Sequence, residues 1–146
     1  MYTKIMSAYG RGEDIDFKFG GIVANTLDAH RLIQYYQDTR GPDTTDVIVN
    51  SLYSQYFEHE KHPSAPETLV NAAVDAGIDR SEVEKFVNGD EWEQEVKMAI
   101  REQAANGIDA VPYIVIEGKK RDVTLTGAKD VNQYMRSLEQ VMKEST

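Results

Sequence analysis

A single proline divides this chain into two kinds of sequence. Up to Asn106-Gly107 the apolar residues recur at helical spacing, and straight after Val111-Pro112 come Tyr113 and the β-branched run Ile114-Val115-Ile116. A proline ring clashes with an α-helical predecessor, so Val111 has to be extended. Proline also lacks a backbone N–H, which suits the first residue of a strand or a sheet edge. From the residues alone Pro112 reads as an ordinary strand entry, with a point where backbone meets a ligand as the functional alternative.

The segment before the proline predicts six or so helices. Ile5, Met6 and Tyr9 share a face within Tyr2 to Tyr9, with Gly10 and Gly12 as stop signals. Ile15, Phe17 and Phe19 alternate with charged residues, an extended pattern that ends at Gly20-Gly21. Asn25 or Thr26 can cap a helix carrying Leu32, Ile33 and Tyr36, broken at Gly41-Pro42. Asp43, Thr44 or Thr45 then caps a long helix with Ile48, Leu52, Tyr53, Tyr56 and Phe57, ending near His62-Pro63. The Tyr53, Tyr56, Phe57 stripe reads as core. Ser64-Ala65-Pro66-Glu67 has the form of a capping box and opens a helix with Leu69, Val70, Ala73 and Ala76, closed at Gly77-Ile78. Asp79 caps a short helix with Val83, Phe86 and Val87, and Asp90 with Glu93 forms a second box, followed by Trp92, Val96, Ala99 and Ile100 on one stripe.

Beyond Pro112 the period changes. Tyr113 to Ile116 is a strand, Glu117 to Arg121 a turn, and Val123 with Leu125 a second strand. Thr126-Gly127-Ala128 is expected to open a final helix whose buried face carries Val131, Tyr134, Met135, Leu138, Val141 and Met142. The fold class is therefore α/β, mostly helical, with residues 1–106 a helical region and 107–146 a β–β–α unit, together one compact body. Two strands alone are marginal in water, so something should cover the remaining sheet edges.

Composition removes several functions. The net charge of −9, spread along the chain, disfavours phosphate backbones and anionic lipid, so neither nucleic acid nor membrane is an expected partner. Lys119-Lys120-Arg121 is the one basic cluster and reads as a solvated hairpin turn. No apolar run approaches the ~20 residues that span a bilayer, and Met1-Tyr2-Thr3-Lys4-Ile5 lacks a secretory h-region, so a cytoplasmic location is expected. His59-Glu60-Lys61-His62 is not a zinc-binding arrangement, and no metal is expected. There is no cysteine among the 146 residues, which excludes disulfides, zinc–thiolate sites and a cysteine nucleophile within them.

Four motifs resemble one family. Gly20-Gly21-Ile22-Val23-Ala24-Asn25-Thr26-Leu27-Asp28-Ala29-His30-Arg31-Leu32-Ile33 contains an Asn-Thr-x-x-Ala-His-Arg-Leu motif similar to that of DsbA-like thioredoxin-fold proteins. Ala76-Gly77-Ile78-Asp79, Gly107-Ile108-Asp109-Ala110-Val111-Pro112 and Thr126-Gly127-Ala128-Lys129 are similar to further motifs of its FrnE-type dithiol-disulfide isomerases, relatives of 2-hydroxychromene-2-carboxylate isomerase and kappa-class glutathione transferase. The likeness runs from Gly20 to Lys129. It implies an incomplete DsbA-like thioredoxin fold, a helical insertion followed by β–β–α, that lacks the strand and Cys-x-x-Cys (or serine-bearing) helix start of the family. Tyr113 and Lys129 depart from the family's usual threonine and glutamine.

The resemblance also implies a set of site residues. Val111 and Pro112 would form a cis bond whose exposed backbone pairs with a peptide or glutathione. Thr126, Gly127 and Ala128 would offer helix-start N–H groups to a carboxylate, against a plain cap. Asn25, His30 and Arg31 would lie over the substrate cleft, against structural roles for each. The family's thiol–disulfide or glutathione-dependent chemistry needs a nucleophile that this chain does not supply, so no catalytic residue is expected in it. Glutathione is the one cofactor implied. A non-catalytic module that dimerises, or takes a partner chain through the free sheet edge, is the other reading; a small-molecule pocket is the third.

Overall fold

The computed structural model describes residues 2–145. Seven helices and two strands follow one another as α1 (Tyr2–Gly12), α2 (Leu27–Arg40), α3 (Pro42–Phe57), α4 (Pro66–Asp75), α5 (Arg80–Val87), α6 (Glu93–Ala105), β1 (Tyr113–Ile116), β2 (Val123–Thr126) and α7 (Val131–Ser145). The mostly helical α/β order, six helices and then β–β–α, is the one the periodicity predicts. The chain divides into two units, Met1–Met98 and Ala99–Thr146.

In the first unit α2, α3, α4 and α5 pack as a bundle. Leu32, Tyr36, Ile48, Leu69, Ala72, Ala73 and Val83 are all but sealed from solvent, with Phe86 against them. Gly41 takes φ +87, a conformation glycine adopts freely, so α2 can end and α3 begin one residue later on Pro42. The expected start of α3 at Asp43, Thr44 or Thr45 therefore falls one turn late. Burial, with the Glu82 carboxylate next, pushes the Tyr36 phenol far above its ordinary pKa; its hydroxyl donates to Glu82 Oε1 at 3.3 Å.

Local signals held where side chains kept their local partners. The Asp79 carboxylate accepts the N–H groups of Ser81 and Glu82, so it caps α5 and is held below the usual carboxylate range, chiefly by the Ser81 hydroxyl. Ser64 does not close the expected box on α4: its hydroxyl donates to the Asn25 carbonyl, and Ala65 stands at the cap without a side-chain bond. At the Asp90–Glu93 box the Glu93 N–H binds the Asp90 backbone carbonyl. Gly10 does not stop α1, which runs on to end at Gly12.

In the second unit β1 and β2 form an antiparallel hairpin with Tyr113 opposite Thr126 and Ile116 opposite Val123. α7 packs on β1. Ile114, Ile116, Val123 and Leu125 are the better-covered residues of the two strands, with Tyr113 and Val115 facing outward. Arg121 grips Glu144 with two parallel bonds, Nε to Oε2 at 2.8 Å and Nη2 to Oε1 at 2.7 Å, which ties the β1–β2 turn to α7. Arg121, helped by Gln140, lowers the Glu144 carboxyl to about 2. A depressed carboxyl stabilises the fold above its unfolded pKa, and that contribution is lost as pH falls through the folded value. Glu144→Gln is therefore expected to destabilise the second unit at neutral pH. The deficit should shrink between pH 4.5 and about 2 and vanish below. Acid titrations of both proteins, followed by amide exchange at Ile114 and Leu125, measure it.

Candidate functional site

The candidate residues after Asn106 converge on one end of the hairpin. Gly107, at φ +77, ends α6, and Ile108 N–H returns to the Gln103 carbonyl, which releases the chain into the extended run toward Pro112. The Val111–Pro112 peptide bond is cis. Val111 is 84% exposed, and its backbone makes no hydrogen bond to another described residue. The Pro112 carbonyl accepts the Gly127 N–H at 2.8 Å, so the entry to β1 is fastened to the exit from β2. Thr126 sits opposite Tyr113 in the ladder, with Ala128 exposed just beyond. Val111, Pro112, Thr126, Gly127 and Ala128 thus form one cluster at the mouth of the hairpin.

The structure corrects one expectation about that cluster. Thr126 closes β2 and Gly127 lies at φ +78, so Thr126, Gly127 and Ala128 do not open the last helix. That helix begins at Val131, and Asp130 caps it: Oδ1 accepts the Gln133 N–H at 3.0 Å, while Gln133 Oε1 accepts the Asp130 N–H at 3.3 Å. A reciprocal box with a carboxylate fills the positive end of the helix dipole. An incoming carboxylate would meet Asp130 there. What the cluster offers a ligand is extended backbone, as among the described residues strand β1 is paired only with β2.

Asn25, His30 and Arg31 lie in the first unit. Asn25 Oδ1 accepts the Leu27 N–H at 2.8 Å, and the exposed His30 ring sits 2.9 Å from the Thr26 carbonyl. Arg31 is an interior residue, 4% exposed. Its guanidinium donates to the carbonyls of Glu91 (2.9 Å) and Gly89 (2.8 Å) and to Asp28 (2.9 Å), and it lies 5.2 Å from the Phe86 ring centre. It locks α2 to the loop between α5 and α6. Each of these residues has a local structural partner. The two nearby histidines stay apart in role, His59 bound to the Ser54 carbonyl and His62 accepting the Ser64 N–H.

An apolar groove that the helical pattern does not announce lies in the same unit. The segment after α1 runs beside the end of α3: Lys18 N–H donates to the Phe57 carbonyl at 2.8 Å, Asp16 N–H to Glu58 Oε1 at 3.1 Å and Gly20 N–H to Glu60 Oε1 at 2.6 Å. Between α1, this segment and α3 opens a groove of about 870 Å³, lined by Met6, Phe17, Phe19, Tyr53, Tyr56 and Phe57 among others. Tyr53 is 59% and Phe57 38% exposed, so the expectation that this stripe is core fails. Helical spacing marks a face, and Ile48 on α3 does enter the core; spacing alone does not say where the core ends. The alternation at Ile15, Phe17 and Phe19, which no strand among the described residues pairs, is the signal for it.

Comparison with known proteins places this architecture. The family profile described as DSBA-like thioredoxin domain matches residues 1–139. A Streptomyces coelicolor protein named as a DsbA oxidoreductase superposes with a TM-score of 0.80 at 24% identity, over 98% of this chain. This chain spans 60% of that protein's length. A Nitrosomonas europaea protein named as a protein disulfide isomerase superposes with a TM-score of 0.78 at 17% identity, over 99% of this chain and 73% of its own. No curated protein matches the sequence. At these identities the two structures establish the DsbA-like thioredoxin fold, and the profile establishes kinship. The chain belongs to the DSBA-like thioredoxin domain family.

Proposed function

We propose that this chain is the substrate-holding part of a DsbA-type thiol–disulfide system and has no redox turnover of its own. The observation that carries the reading is the exposed, unpaired Val111 backbone at the head of a strand with one open edge. An extended peptide, or the peptide-like backbone of glutathione, can add to such an edge through main-chain hydrogen bonds. Pro112, with its carbonyl held by Gly127, fixes that edge from the paired side, where Thr126 stands opposite Tyr113. Disulfide exchange proceeds by attack of a thiolate on a disulfide sulfur. The 146 residues contain no thiol, so the thiolate has to come from another polypeptide or segment. Within the family, the four motifs support the FrnE-type branch, and with it a cytoplasmic setting.

Two measurements test this. Insulin reduction by dithiothreitol should run no faster with the purified chain than without it; acceleration would sink the redox-inactive reading. Titrating the isotope-labelled chain with a cysteine-containing extended peptide, and separately with glutathione, should shift the Val111, Tyr113 and Val115 amides. No shift at millimolar ligand would remove the substrate edge.

A second reading has its own observation. β1 is open on one edge, and α7 exposes Val131, Met135 and Leu138. Unpaired edges of this kind pair with another chain, so a homodimer or a partner completing the sheet is the alternative. Light scattering that shows a monomer at all concentrations, together with peptide binding at Val111, separates the first reading from the second.

A further inference from the structure

We propose that the aromatic groove of the first unit docks a cationic amphipathic segment of another polypeptide. This inference is independent of the Val111 edge.

Three observations support it. The first is an unfilled apolar surface: Tyr2, Phe19, Val23 and Tyr53 line the groove and are all 47% exposed or more. The second is the state of α1. It is 11 residues long, and isolated helices of that length are marginal in water. Its one buried residue is Gly10, where an added Cβ would stand 2.5 Å from the Ile15 carbonyl and the Phe17 ring. α1 therefore gains a supporting surface when something fills the groove.

The third observation selects the occupant. The first unit has nine Lys and Arg against eighteen Asp and Glu, and the second unit has seven of each, so the whole net charge of −9 belongs to the unit with the groove. Glu58 is part of the lining, Asp14 and Glu60 stand next to lining residues, and Lys18, the one cation among the described lining residues, is paired with Asp16 at 2.6 Å, so those two charges cancel. Glu58 and Glu60 hold backbone N–H groups with one oxygen each and have a second oxygen available to a partner. Lys4 and Arg11 on α1 are too few to reverse the sign. Like charge opposes the same face of a second copy, while a segment with apolar side chains and lysine or arginine meets apolar walls and an acidic rim.

The test uses the full chain and a synthetic helix of alternating leucine and lysine clusters, with a leucine–glutamate helix as its counterpart. Calorimetry should show saturable binding of the lysine peptide that weakens with salt, and none of the glutamate peptide. Tyr53→Ser should weaken it by about tenfold or more, as loss of an aromatic anchor does. The Glu58→Gln, Glu60→Gln double variant keeps both hydrogen-bond acceptors, so it should fold as the parent does while binding weakens and loses part of its salt dependence. The proposal is overturned by equal binding of both peptides, by binding that neither variant alters, by no binding, or by a concentration-dependent dimer that Tyr53→Ser dissolves.

Discussion

Arg31→Lys is expected to destabilise the first unit by about 2–4 kcal/mol, since a hydrogen bond to a charged group is worth roughly 1.5–3 and an abandoned buried acceptor costs 1–3. The guanidinium spreads its donors over three acceptors: the Glu91 carbonyl from Nε, the Gly89 carbonyl from Nη2 and Asp28 from Nη1. A lysine ammonium is a point donor on a flexible stem and cannot take up that fork, so at least one carbonyl is left without its partner. It also forfeits the planar contact with Phe86 at 5.2 Å. For a unit of this size each kcal/mol is worth about 4–8 °C in melting temperature. Thermal unfolding read by circular dichroism and by Trp92 fluorescence, which reports on the residue next to Glu91, measures the loss. A variant within about 0.5 kcal/mol of the parent would mean that the cluster is ornamental. The result also bears on function: a large loss assigns Arg31 to holding α2 against the α5–α6 loop and removes it from the substrate contacts.

The contrast between Arg31 and Pro112 shows what the sequence made legible. Pro112 and the run after it were readable because proline acts on its immediate neighbours, and β-branched residues announce a strand over four positions. Asp79 was readable for the same reason, as its two N–H partners lie within three residues. Arg31 was not, because its carbonyl partners lie 58 and 60 residues away, and no local pattern encodes them. Ser64 failed in the same manner when Asn25, distant in sequence, took its hydroxyl. The start of α7 was misjudged because Gly127 resembles a helix lead-in, whereas the real signal is the Asp130–Gln133 pair three residues further on. The groove was missed because an amphipathic stripe predicts that one face is apolar, and the partner of that face lies outside the pattern.

Gly118→Ala is expected to undo the hairpin that positions Val111. An added Cβ would fall on the Arg121 carbonyl oxygen and lie 3.2 Å from Val141 Cγ1. The oxygen is backbone and cannot swing aside, and Val141 is the large apolar residue α7 buries. Relief requires opening the turn, which would also break the bond from Gly118 N–H to Asp122 Oδ1 at 3.1 Å and strain the Arg121 grip on Glu144. Overpacking of this kind costs about 1–3 kcal/mol. Folded domains hold only about 0.05–0.15 kcal/mol per residue, so a unit this small loses a large share of its stability. Amide exchange is the suitable measurement: protection should fall at Ile114, Ile116 and Leu125, which face each other's strand in the ladder, while the buried amides of α2–α5 keep theirs. Undiminished protection at β1 would mean that the turn accommodates a methyl group. Because the Pro112 carbonyl is held by Gly127 at the far end of the same ladder, peptide binding at Val111 should weaken in step with the loss of protection. A variant that loses the ladder and keeps the binding would show that Val111 presents its backbone without help from the sheet.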